Sequence, residues 1–173
     1  IMNKNVITDL DVTSKRVIVR VDFNVPMSKS EVGKITDNAR ILAALPTINY
    51  LIENKAKVIL LSHLGRPKGE AKKEFSLEPV AKELSRLLNK EVKFLQSDLV
   101  VDDNVKNKVL NLQDGEVALL ENTRFRPEET KNIDNFSKEL SSSNKLLPTE
   151  YPKDFKNVND IPPPIIILST FSI

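Results

Sequence analysis

Three short apolar runs in this chain each break off into a polar loop. Val17 to Val21 leads into Asp22-Phe23-Asn24-Val25-Pro26, Val58 to Leu61 into Ser62-His63-Leu64-Gly65-Arg66-Pro67, and Val117 to Leu120 into Glu121-Asn122-Thr123-Arg124-Phe125-Arg126. The β-branched run from Lys15 to Asp22, bounded by Pro26 and Gly33, reads as a strand with a long connection behind it. Ile41, Leu42, Leu45, Ile48, Leu51 and Ile52 then recur at helical spacing, with Thr36 or Asp37 as the cap. Pro46 falls inside that run, so the helix either kinks there or is tolerated by its packing. The cycle repeats with a strand over Lys57 to Ser62, a Pro/Gly/Lys loop to Phe75, and a helix over Leu77 to Leu88. Ser76 is its expected N-cap and Pro79 sits in its first turn. Glu91 to Leu95 predicts a third strand, Asp103 to Leu112 a short helix, and Glu116 to Leu120, after the Asp114-Gly115 turn, a fourth strand. Asn132 to Leu140, with Ile133, Phe136 and Leu140 on one face, predicts a further helix. Strands alternating with helices imply an α/β fold with a parallel sheet and right-handed crossovers.

The pattern stops near Ser141. Three serines are followed by five of the ten prolines of the chain, between Pro148 and Pro164, and then by an apolar run from Ile165 to Ile173. The organisation expected is one domain over 2–142 and a Pro-rich tail over 143–173. The tail is expected to be poorly ordered, its apolar end able to pair with an open sheet edge or to aggregate.

The 173 residues are 40% hydrophobic and 29% charged, enough for one domain with a real core. A formal net charge of +2, with Lys and Glu interleaved through Lys68 to Glu74, argues against a nucleic-acid partner. The chain has no cysteine and a single histidine, His63, so disulfides, thiolate metal sites and a structural zinc site have no ligand set. No segment approaches the roughly 18 apolar residues of a membrane span, and the acidic start lacks a signal-peptide layout. A cytoplasmic protein with no membrane partner is expected. Ile1, ahead of Met2, is left out of the reading.

If the three apolar runs are neighbouring parallel strands, their carboxyl ends share one edge of the sheet, where ligands of open α/β folds bind. Asp22 and Asn24, two apart beyond a strand, can face one bound hydroxyl group; alternatively Asp22 pairs with Arg20 and Asn24 only shapes the turn. His63, Gly65 and Arg66 share one loop, in which glycine allows close backbone approach and the guanidinium offers a bidentate fork. Arg124 and Arg126 flank Phe125, so one is expected to face the site and the other solvent or a carboxylate. Arg40, in the first turn of its helix, can swing over the same edge or pair with Asp37. At an effective dielectric near 20, a unit charge pair about 4 Å apart gains roughly 4 kcal/mol. Two or three converging arginines can therefore offset the desolvation of a phosphate. Glycines occur only at 33, 65, 69 and 115, so the phosphate-loop and dinucleotide glycine fingerprints are missing, and an unrelated nucleotide-binding module is disfavoured.

Arg20-Val-Asp-Phe-Asn-Val-Pro26, Ile35-Thr-Asp-Asn-Ala-Arg40-Ile41, Ser62-His-Leu-Gly-Arg-Pro67 and Glu121-Asn-Thr-Arg-Phe125, in that order, closely resemble the N-terminal domain of phosphoglycerate kinase, from about Lys4 to about Ser142. The resemblance implies a three-layer, Rossmann-like parallel-sheet domain, incomplete here, that binds 3-phosphoglycerate at its strand ends. It implies that Asp22 and Asn24 hold the glycerate hydroxyl region, that His63, Arg66 and Arg124 hold the 3-phosphate, and that Arg40, beside the reacting carboxylate, is the catalytic cation. It also implies a monomer and a glycolytic reaction in which the carboxylate attacks the γ-phosphate of Mg-ATP. Past Ser142 the family continues with a further strand, another phosphate-binding arginine and a second domain that holds Mg-ATP, and this sequence departs from it. The expectation is a fragment that binds its acceptor, has no Mg-ATP site and does not turn over alone. The alternative is an inactive interaction fragment whose apolar tail recruits a partner.

Overall fold

Neighbouring residues over Val17 to Val19, Val58 to Leu61 and Val117 to Leu120 are buried against opposite layers, so these strands read as unbroken apolar runs. The computed structural model describes residues 7–126 and 165–167. Its strands are β1 (Arg16–Arg20), β2 (Lys57–Leu61), β3 (Val92–Leu95), β4 (Val117–Leu120) and β5 (Ile165–Ile167), and its α-helices are α1 (Ala39–Glu53), α2 (Glu78–Leu88) and α3 (Asp103–Leu110). Val17, Val19, Val58, Leu60, Val117 and Leu119 pack in one core with Ile41, Ile48 and Leu51 of α1 and Val80 and Leu84 of α2. Ile18, Ile59, Leu61, Ala118 and Leu120 face the other way, into a second core with Val105 and Val109 of α3. The result is the three-layer α/β/α arrangement expected.

Within the described residues the sheet order is β3-β4-β2-β1-β5. β1, β2, β3 and β4 are mutually parallel, with Arg20 level with Leu61 and Leu60 level with Leu119. The three loops that follow β1, β2 and β4 therefore leave the same edge. Ile165–Ile167 runs antiparallel to β1, Ile165 opposite Arg20 and Ile167 opposite Ile18. That is one of the two outcomes expected for the apolar end. The predicted helix at Asn132 to Leu140, the boundary at 142 and the rest of the tail lie outside the described residues.

Several local expectations are refined. α1 runs continuously through Pro46, which is exposed on the solvent side. There the carbonyl of half-exposed Leu42, deprived of its helical donor, can be hydrated. Asp37 Oδ1 accepts from Ala39 N at 2.8 Å, while Asn38 holds the N-cap position and sends its amide to Glu83 Oε1 at 2.8 Å. Ser76 Oγ accepts from Glu78 N at 3.2 Å, one residue before the cap position at Leu77. α3 ends at Leu110 instead of Leu112, although Leu112 is still buried in the core.

Candidate functional site

The strand register brings the loops together and hydrogen bonds join them. Phe23 N donates to Ser62 Oγ at 2.9 Å, and Thr123 reaches Ser62 O through both its N–H, at 3.0 Å, and its hydroxyl, at 3.1 Å. The Gly65 peptide is held from both sides: its N–H donates to Asn24 Oδ1 at 2.9 Å, and its carbonyl accepts from Arg124 Nη1 at 3.0 Å. Glycine is favoured there. Gly65 has φ +59°, and an added Cβ would stand 2.5 Å from the Phe75 ring.

Each residue singled out from the sequence lies on these loops or above them. Asp22 Oδ1 accepts from Asn24 N at 3.1 Å, and its other oxygen accepts from the Arg40 guanidinium. Arg40 thus spans from the first turn of α1 to the β1 loop, with its side chain 51% exposed against 30% for Asp22. The alternative partner considered for Arg40, Asp37, serves the backbone of Ala39. Asn24 differs from the expectation in one respect: its carbonyl oxygen positions the Gly65 loop, leaving the amide N–H groups for a ligand. His63 and Arg124 are half-buried, while Arg66 and Arg126 are exposed. Of the two arginines around Phe125, Arg124 is the one turned toward the Gly65 loop, and Phe125 itself is buried in the second core.

The segments 22–26, 62–67 and 121–126 contain two carboxylates, Asp22 and Glu121. Glu121 is only 2% exposed and turns inward, accepting from Ser76 Oγ at 2.8 Å, Leu77 N at 2.9 Å and Asn122 N at 2.8 Å. Its charge meets the free N–H groups at the start of α2, where an anion is favoured. The rim left to solvent is therefore rich in positive charge, with Arg40, Arg66 and Arg124 against Asp22, and with the His63 imidazole beside them. An arrangement of this kind suits a small anion that also carries a hydroxyl group. Sequence reasoning overlooked Ser62, Glu121 and Asn122. The available signal was their position, since polar residues directly after a buried strand remain in the core and must find partners there.

An open hollow of about 1410 Å³ adjoins this edge, lined by Thr36, Asp37, Asn38, Lys72, Glu78 and Glu83 among others and reaching Glu121 and Phe125 of the β4 loop, but lined by none of the candidate ligand residues. Among the described residues no three His, Cys, Asp or Glu side chains converge into a metal-binding group, and no helix is long and apolar enough to cross a membrane.

Comparison with known proteins agrees with this geometry. The family model described as Phosphoglycerate kinase matches residues 7–146. The phosphoglycerate kinase of Clostridium kluyveri is 60% identical over 147 residues, covering 85% of this chain and 36% of that protein. That of Clostridium botulinum is 59% identical over 140 residues, covering 81% and 34%. The chain thus spans about a third of the length of these curated relatives. Among solved structures, phosphoglycerate kinase from Pyrococcus horikoshii superposes with a TM-score of 0.64 at 39% identity, over 76% of this chain and 31% of that one. The enzyme from Coxiella burnetii gives a TM-score of 0.62 at 42% identity, over 79% and 32%. With the motifs, the parallel three-layer fold and the family match all covering the same residues, the chain belongs to the phosphoglycerate kinase family.

Proposed function

We propose that this sheet edge binds 3-phosphoglycerate, the acceptor in reversible phosphoryl transfer between Mg-ATP and a carboxylate, a glycolytic step. The observation that carries the reading is the pair of bonds on the Gly65 peptide, from Asn24 and from Arg124, which ties the three loops into one cationic rim. In this reading the Asp22 carboxylate and the Asn24 amide take the glycerate hydroxyl region. His63, Arg66 and Arg124 take the 3-phosphate. Arg40 stands beside the reacting carboxylate. One carboxylate oxygen forms a bond to the γ-phosphorus as the bond from that phosphorus to the ADP oxygen breaks, giving an acyl phosphate and ADP. Arg40 offsets the charge carried by the transferring group, as positioned cations do in such transition states.

Mg-ATP enters this reading as the second substrate. The described residues offer no carboxylate or imidazole trio for its metal, and no step is assigned to them on its account. The chain itself is read as an acceptor-binding unit, monomeric and cytoplasmic, that does not turn over alone.

Titration with 3-phosphoglycerate, followed by two-dimensional amide NMR, tests the reading. Saturable shifts confined to the loops around Asp22, His63 and Arg124 are expected, and the binding should weaken with added salt. A spectrum that does not respond to millimolar ligand sinks the proposal. A coupled assay with 3-phosphoglycerate and Mg-ATP is expected to show no turnover by the isolated chain.

A further inference from the structure

We propose that Asn122 is a positioning residue that holds the phosphate-binding arm of the rim in place before any ligand arrives. The inference rests on the acceptor-site reading above and deepens it. Asn122 is completely buried, and its side-chain bonds go to main-chain groups and to none of the proposed ligand side chains. Its Nδ2 donates to Leu64 O at 2.7 Å and to Phe75 O at 2.9 Å, and its Oδ1 accepts from Arg124 N at 3.0 Å. A side-chain amide has two N–H donors and one carbonyl, and here all are engaged with backbone groups.

The choice of partners matters more than their number. Leu64 precedes Gly65, whose carbonyl receives the Arg124 guanidinium at 3.0 Å. Asn122 therefore fixes the main chain at both ends of that bond, on the Gly65 side through Leu64 and on the arginine side through the Arg124 N–H. The bond to Phe75 O anchors the main chain of the residue whose ring packs over Gly65, where an added Cβ would stand 2.5 Å from that ring. One neutral amide thus sets the spacing between the loop that carries His63 and Arg66 and the loop that carries Arg124. A fixed spacing removes the ordering cost that a ligand phosphate would otherwise meet in gathering these side chains. The same position filled by a carboxylate would face two backbone carbonyls, and one filled by an aliphatic side chain would leave them without a donor.

The test compares two variants of the full chain with the parent. Asn122→Ala removes the three side-chain bonds. Ser85→Ala removes a half-buried bond between α2 and β3, from Val92 N to Ser85 Oγ at 3.0 Å, and touches none of the three loops. Calorimetric titration with 3-phosphoglycerate, well below each unfolding midpoint, is expected to show Asn122→Ala weakened roughly tenfold, the cost of ordering one or two side chains. Ser85→Ala should lower the unfolding midpoint and keep the parent affinity within about twofold. Parent-like affinity in folded Asn122→Ala overturns the inference while leaving the acceptor site standing. Failure of the parent to bind 3-phosphoglycerate overturns the acceptor reading itself.

Hydrogen exchange on the parent decides the matter even if Asn122→Ala does not fold. The Arg124 amide, bonded to Asn122 Oδ1, should be protected like the β4 amides without ligand and change little with it. Rapid exchange that slows only on adding 3-phosphoglycerate would mean that the ligand builds the arm, and the inference would fall.

Discussion

The carboxyl edge of the sheet carries two kinds of polar residue, and they serve opposite ends. Glu121, Asn122 and Thr123 are buried and bonded to main-chain groups or to Ser76, whereas Arg40 and Arg66 stand in solvent. The inner group satisfies the backbone of loops that leave a buried sheet and cannot all reach water. The outer group is a surplus of positive charge that a folded protein gains nothing from gathering, since clustered cations repel. Burial distinguishes architecture from ligand recognition here, and residue type does not: Glu121 and Asp22 are both carboxylates at strand ends, yet one starts a helix and the other faces the rim.

The sharpest way to break this contrast is at Glu121. Glu121→Ala leaves the Leu77 and Asn122 N–H groups and the Ser76 hydroxyl without their acceptor, and should cost about 3 kcal/mol. Urea denaturation measures it, and a loss below about 1 kcal/mol would contradict the structural role given to this carboxylate. Gly65→Ala should cost about 2 kcal/mol, from the backbone conformation and the clash with Phe75 together. Phe75→Leu in the same chain should recover the clash and not the backbone part, which a double-mutant cycle separates.

At the rim the signs reverse. Arg66→Ala should leave stability within about 0.5 kcal/mol of the parent. It should weaken 3-phosphoglycerate binding by about 1.5 kcal/mol, the worth of a charge-assisted bond. Unfolding and titration on the same preparation check both halves of that prediction.

The smallest effect lies away from the edge, where Glu83 receives the Arg86 guanidinium at 2.8 Å and 2.9 Å and the Asn38 amide at 2.8 Å. Arg86 first, then Asn38, hold its carboxyl well below the ordinary value of 4.5, at about 2. A carboxyl depressed in the folded state contributes stability that is fully present above about pH 4.5 and fades as the pH falls toward 2. Because the group is partly exposed, the contribution should be under about 1 kcal/mol. Glu83→Gln should flatten that part of the acid-denaturation curve.

Much of the fold was legible because its signals are local. Val17 to Val21 and Val58 to Leu61 announce strands by composition, and α2 announces itself by Pro79 and its apolar spacing. The site was legible as a set of loops with a charge. Its internal pairing was not, because each decisive bond joins residues far apart in the chain: Arg40 to Asp22, Gly65 to Asn24, Asn122 to Leu64. Sequence offered Arg20 or a turn for Asp22 and Asn24, and Asp37 for Arg40, since only near neighbours can be weighed from spacing. Likewise the tail shows no strand and helix cycle, yet Ile165–Ile167 adds to β1 because that strand has an edge to offer.

By itself the sequence determined the succession of strands and helices, the three polar loops, the excess of arginine in them and the family motifs. These depend on propensity and periodicity within a few residues. Tertiary structure alone decided which carboxylate turns inward, which arginine meets Gly65 and which asparagine ties the loops together. Those outcomes depend on strand register and on packing between layers, which bring distant residues within hydrogen-bond reach and leave buried polar groups no water to choose instead.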